Sequence, residues 1–141
     1  MTEFDFAAMT AQGQNAGVPT LYVMVMTPLP QTSGAAPAGT AGGPSPLEAH
    51  YEYMHQLIEQ GKVLLIGPCL HEPAVPDGPP VPPGVGILKV ASREEAEDIA
   101  RNEPFHRLGW RRNTVLAWTV KFGSLIPDLL AHLSSYSPES A

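Results

Sequence analysis

His50 is an ionisable side chain on a stripe that should be buried. Leu47, Tyr51, Met54, Leu57 and Ile58 share its helical spacing, while Glu48, Glu52, Gln56, Glu59 and Gln60 fall mostly on the opposite side. A histidine so placed is either a core residue satisfied by one hydrogen bond or a group kept for chemistry. Neutral imidazole is a good general base near pH 7, and it works best when a carboxylate holds its second nitrogen. Glu103 is the second residue of interest. An inward stripe of Ala96, Ile99 and Ala100, extended by three or four, reaches it. Pro104 disfavours helical geometry at Glu103, so this carboxylate sits where a helix breaks.

The remaining reactive side chains are weaker candidates. Cys69 follows the Gly67-Pro68 turn and is placed to border the same cavity, but a nucleophilic thiol needs a nearby base and none is identifiable. His55 lies five residues from His50 and points elsewhere on the helix, so ligand spacing for a metal is missing and no metal is expected. His71, His106 and His132 read as loop or surface residues. Tyr22, Met24, Met26, Tyr53 and Trp118 are either the lining of an apolar substrate pocket or plain core.

The helix that carries His50 is bounded at both ends. Ser45, Pro46 and Glu48 form a capping box with proline at the first helical position, and Gly61 supplies a left-handed stop. Residues 62–66 then read as a short buried strand closed by Gly67-Pro68. Before this unit, residues 20–27 (TLYVMVMT) form a strand with Leu21, Val23 and Val25 on one face and Tyr22, Met24 and Met26 on the other. A strand apolar on both faces needs cover on both. Residues 85–91 are the next strand. A second capping box at Ser92 and Glu95 opens the helix that ends near Glu103. Residues 113–122 are a fourth strand, with Val115, Ala117 and Thr119 facing one way and Leu116, Trp118 and Val120 the other. Residues 124–133 make a short amphipathic helix through Leu125, Ile126, Leu129, Leu130 and Leu133.

Composition sets the outer bounds. With 141 residues the chain holds one domain, and its 16 prolines and 13 glycines gather in loops, leaving about 100 residues to fold. The low-complexity segment 28–44 and the segment 68–84, with seven prolines, are long loops inside a domain spanning residues 20–123. The first is either a tolerated insertion or a lid beside the helix N-terminus. Residues 1–19 show no clear period and read as a tail, and 124–141 hold the terminal helix and a second tail. A net charge of −6 argues against a nucleic-acid partner, because phosphate is met with clustered Lys and Arg, and Arg107, Arg111 and Arg112 are too few. No apolar run approaches the length of a membrane span. A single cysteine excludes an internal disulfide framework and points to a reduced, cytoplasmic setting.

The order strand, helix, strand, strand, helix, strand closes into an α+β, ferredoxin-like βαββαβ fold, a four-stranded antiparallel sheet with both helices on one face. The bare second face is expected to pack against another copy of the chain. At this point the sequence resembles the YciI-like (YCII-related) family of dimeric α/β barrels. The pieces that carry the resemblance are A-H-Y-E-Y-M at 49–54, G-K-V-L-L-I-G-P at 61–68, VGILKVASREEAEDIA at 85–100 and the E-P-F…G turn at 103–109.

The resemblance implies a histidine–carboxylate acid–base pair, with His50 at the family's histidine and Glu103 where the family carries Asp. It also implies a homodimer acting on a small molecule without a cofactor, through lyase, isomerase or dehydrochlorinase-like chemistry. Tyr22, Met24, Tyr53, Cys69 and Trp118 are the candidate substrate contacts. Leu47 stands where the family often carries Arg, which removes an anion anchor. The alternative is a non-catalytic small-molecule-binding or accessory dimer that kept the fold after the pair drifted.

Overall fold

The computed structural model describes residues 3–30, 43–70 and 81–138. Most of the loop 28–44, read as either an insertion or a lid, most of the proline-rich excursion 68–84 and His71 fall outside the described residues. In chain order the elements are α1 (Phe6–Gln14), β1 (Leu21–Pro28), α2 (Pro46–Glu59), β2 (Val63–Pro68) and β3 (Gly84–Leu88). They are followed by α3 (Arg93–Asn102), α4 (Pro104–Arg107), β4 (Arg111–Trp118) and α5 (Ile126–His132).

The strands pair antiparallel in the order β2-β3-β1-β4. That is the ferredoxin-like order, with α2 and α3 as the two crossovers. The alternation in β1 decides which side they cover: Tyr22, Met24 and Met26 are fully buried beneath Met54 and Leu57 of α2 and Ala96, Ile99 and Ala100 of α3. Side chains of this size contribute about 1.5–3 kcal/mol each when fully buried, so this layer dominates the stability.

Local signals set the limits of both crossover helices. Ser45 accepts the Glu48 N–H at 3.1 Å while the Glu48 carboxylate accepts the Ser45 N–H at 3.2 Å, a reciprocal capping box. At the other end Gly61 adopts φ of +71°, and the Gly61 and Lys62 N–H groups donate back to Ile58 and Leu57. This Schellman closure turns the chain directly into β2. Ser92 caps α3 by accepting from Glu95 N–H, but the Glu95 carboxylate serves Ala91 N–H and Lys62 instead of closing the box.

Three features differ from the sequence expectation. Residues 6–14 form a helix, capped by Asp5, in the segment read as a tail. Nearly all of it is exposed, with only Gly13 buried against the Phe122 ring, so it has no apolar stripe that periodicity could detect. The second sheet face is not bare at one end. Leu133, Ile126 and Leu129 at α5, with Val120 and Tyr136, pack on Leu21, Leu64 and Ile87. The Tyr136 hydroxyl pins this segment by sharing its one proton between the carbonyls of Thr20 and Val90. Finally, the apolar stripe of α2 is only half used in the core: Met54 and Leu57 are buried, whereas Leu47, Tyr51 and Ile58 are exposed along the rim of a cavity.

Candidate active site

Glu103 is held in place by its backbone. It is at once the C-cap of α3 and the N-cap of α4, with extended φ and ψ of −66° and 130° because Pro104 follows. The side chain is turned inward and is 0% exposed. Its Oε2 accepts the His106 N–H at 3.0 Å and the Asn113 amide at 3.1 Å, and its Oε1 accepts from His50 Nδ1. The Asn113 amide also donates to Ala100 O at 3.0 Å, which ties β4 to the end of α3. Burial alone would raise the Glu103 pKa. The hydrogen bonds from His50, Asn113 and the α4 backbone outweigh it and hold the carboxyl below its ordinary range.

A carboxylate in that state only accepts, so His50 carries its proton on Nδ1 and donates it to Glu103. Nε2 is left as the free nitrogen. The imidazole is 13% exposed and stacks on Phe105 at 4.4 Å and 17°, and Phe105 in turn stacks on Trp110 at 5.4 Å. Two restraints, an ion-pair-type hydrogen bond at one edge and an aromatic face below, fix the ring. The ring borders a cavity of roughly 430 Å³, whose wall includes Met26, Leu47, Met54, Ile66, Phe105 and Arg111. This volume is in the range of small-molecule sites.

The sequence candidates do not all meet here. His50 and Glu103, from α2 and the α3–α4 junction, are brought together. Tyr22 and Met24 are packed in the core and do not line the cavity; the Tyr22 hydroxyl has no hydrogen-bond partner among the described residues. Tyr53 lies on another side of α2, donating to Ile99 O at 2.9 Å and facing a separate groove with Ala49, Gln56 and Pro104. Burial, with the charges of Glu103 and Asp98, pushes its hydroxyl up to about 12. Cys69 is exposed just beyond β2, and Trp118 sits on the opposite face of the sheet. Among the described residues no group of three His, Cys, Asp or Glu side chains gathers to hold a metal.

Three participants were not anticipated. Phe105 supports the imidazole, Asn113 clamps the carboxylate, and Arg111 reaches the cavity wall. Alternation supplies the missing signal: stepping back by two from Val115 makes Asn113 and then Arg111 inward-facing. His106 accepts the Asn113 N–H through Nδ1 at 3.1 Å, which places its proton on Nε2 and makes it part of the site's scaffold rather than a surface residue.

A comparison with protein-family models matches residues 20–119 to the YCII-related domain. A comparison with curated protein sequences finds no match. Among solved structures, the 5-chloro-2-hydroxyhydroquinone dehydrochlorinase from Burkholderia phenoliruptrix, in complex with 2,5-dihydroxybenzoquinone, is similar in fold at a TM-score of 0.50 and 20% identity. The likeness covers 70% of this chain and 92% of that one.

Proposed function

This chain belongs to the YCII-related family, and from that premise we propose that it is a small cofactor-independent enzyme that moves a proton on a small enolisable or aromatic compound. The observation that carries the reading is the division of labour at His50: Nδ1 is committed to a fully buried carboxylate while the ring borders a cavity. In the proposed step His50 Nε2 takes a proton from a substrate carbon or hydroxyl. The electron pair left behind flows into a conjugated carbonyl, or expels a leaving group such as chloride. In an isomerisation the imidazolium returns the proton at a second carbon; in an elimination it loses it to water. Glu103 does not touch the substrate; it fixes the tautomer and stabilises the imidazolium as it forms.

The fold's free surface supports a homodimer. Leu116 and Trp118 are 59% and 39% exposed on the sheet face away from α2 and α3, beside Val85 and the half-buried Val23 and Val25. An apolar patch on an open sheet suits a second copy. Sedimentation velocity is expected to give a dimer at tens of micromolar, and a monomer there would remove this part of the reading. No helix among the described residues is long and apolar enough to cross a membrane.

Turnover is tested with a panel of substituted chlorohydroquinones and enolisable ring ketones, followed by chloride release and by deuterium uptake from solvent. At least one compound is expected to react with no metal or cofactor added. A panel that stays inert while its members bind would favour the accessory, non-catalytic reading.

A further inference from the structure

We propose that Arg111 is the specificity-determining residue of the cavity, binding an anionic oxygen of the substrate while the proton to be moved faces His50. This deepens the proton-transfer reading and rests on it. The anion is a carboxylate or a ring enolate, carried by a molecule of about one ring.

The case begins with a cost. The Arg111 side chain belongs to a residue only 4% exposed. Burying a guanidinium is expensive unless it is paired, and breaking or omitting the pair leaves that cost unmet. Among the described residues no carboxylate forms an ion pair with Arg111. Its partners are neutral: Nε and Nη2 donate to Pro82 O at 3.0 and 2.7 Å, Nη1 lies 3.7 Å from Met26 Sδ, and the guanidinium carbon is 5.1 Å from the Phe105 ring centre. Glu103 acts on it through space, but both Glu103 oxygens already serve His50, His106 and Asn113. A guanidinium has five N–H groups. Two are spent on one carbonyl and one on a weak sulfur acceptor, so the outer Nη edge is left for a ligand.

Position decides what that ligand is. Arg111 and His50 share the cavity wall, and both lie against the same Phe105 ring. No Asp or Glu lines this cavity among the described residues, although the chain as a whole carries a charge of −6. The rest of the wall is largely apolar. A small anion therefore finds one fixed cation, Arg111, and the His50 imidazole, in a low-dielectric setting that strengthens the contact. The exposed His55, which reaches Glu59, lies at the rim rather than turned away as its spacing suggested. The Pro82 carbonyl and the Phe105 face hold the guanidinium in advance, so little order is lost when the ligand arrives.

The test measures binding by calorimetry with two matched pairs of probes, benzoate against benzamide and 2,5-dihydroxybenzoquinone against hydroquinone. The unaltered chain is expected to prefer the anion in at least one pair by about 10- to 100-fold, as charge-assisted hydrogen bonds imply. The pair that shows the preference tells carboxylate from enolate. Arg111→Gln should erase it while leaving the neutral probe's affinity in place, and His50→Gln should leave it within about threefold. No preference in the unaltered chain, or a preference that survives in folded Arg111→Gln, overturns the proposal. If Arg111→Gln does not fold, Arg111→Lys reads the same contact, since it keeps charge but loses the fork. An anion affinity unchanged in folded Arg111→Lys also overturns it. The two readings fail separately: lost turnover in His50→Gln with no anion preference anywhere removes the subsite alone, and intact turnover in His50→Gln with a clear preference removes the base alone.

Discussion

Glu103→Ala is expected to lower the free energy of unfolding by about 3–5 kcal/mol at pH 7, a loss large enough to unfold a marginal domain. The magnitude follows from what the carboxylate satisfies. It accepts from the His50 ring, the Asn113 amide and the His106 N–H, all within a site where Glu103 itself is 0% exposed. Truncation strands those donors and opens a void between α3, α4 and β4. Glu103→Gln keeps the shape but turns an amide towards donors, so it should lose less than the alanine variant and more than a surface change. The pH dependence separates charge from packing. Because the folded carboxyl titrates below its ordinary value, its contribution is fully present above the unfolded pKa and is lost as pH falls through the folded one. The stability gap between the unaltered chain and Glu103→Gln should therefore be level from pH 7 down to the ordinary carboxylate range and narrow below it. Urea midpoints measured from pH 7 to pH 3 provide the check. A gap that stays constant over the whole range would show that the carboxylate's charge contributes nothing.

Much of the arrangement could be read from the chain because local rules and the global fold agree. The capping box at Ser45 and Glu48, the Gly61 stop and the two-faced strand around Met24 each mark an element, and their order leaves one plausible sheet. The position of Glu103 was also legible, since Pro104 breaks the helix at the point where its inward stripe arrives. What escaped were features that depend on three dimensions. Arg111 reads as one of a small basic cluster with Arg107 and Arg112 because the strand is expected to begin at residue 113; alternation reaches it only once β4 starts at Arg111, paired with Pro28. Tyr53 has the chemistry of a pocket residue, yet it lies on the flank of α2 away from Leu47, Tyr51 and Ile58, where it meets the Ile99 carbonyl. The cover that α5 gives to Leu21 and Ile87 could not be inferred from an amphipathic pattern alone, because the pattern says that a helix has an apolar side and not which surface receives it.

His50→Gln is the change expected to act on rate rather than on stability. Glutamine is close in length to histidine and can donate its amide N–H to Glu103 Oε1, so the buried carboxylate keeps a partner and the unfolding midpoint should move little. It has no group that can take up a proton at neutral pH. A positioned general base contributes typically about 10²–10⁴-fold, and that is the expected loss in kcat on any panel compound the unaltered chain turns over. KM should change far less, because the anion contact proposed for Arg111 and the apolar wall around Met26 and Ile66 are untouched. A histidine kept only for structure would give the reverse pattern, with a shifted midpoint and a rate that falls only in proportion to the unfolded fraction. Retention of more than about a tenth of kcat in a folded His50→Gln would end the general-base assignment, since even the weaker end of that range exceeds it.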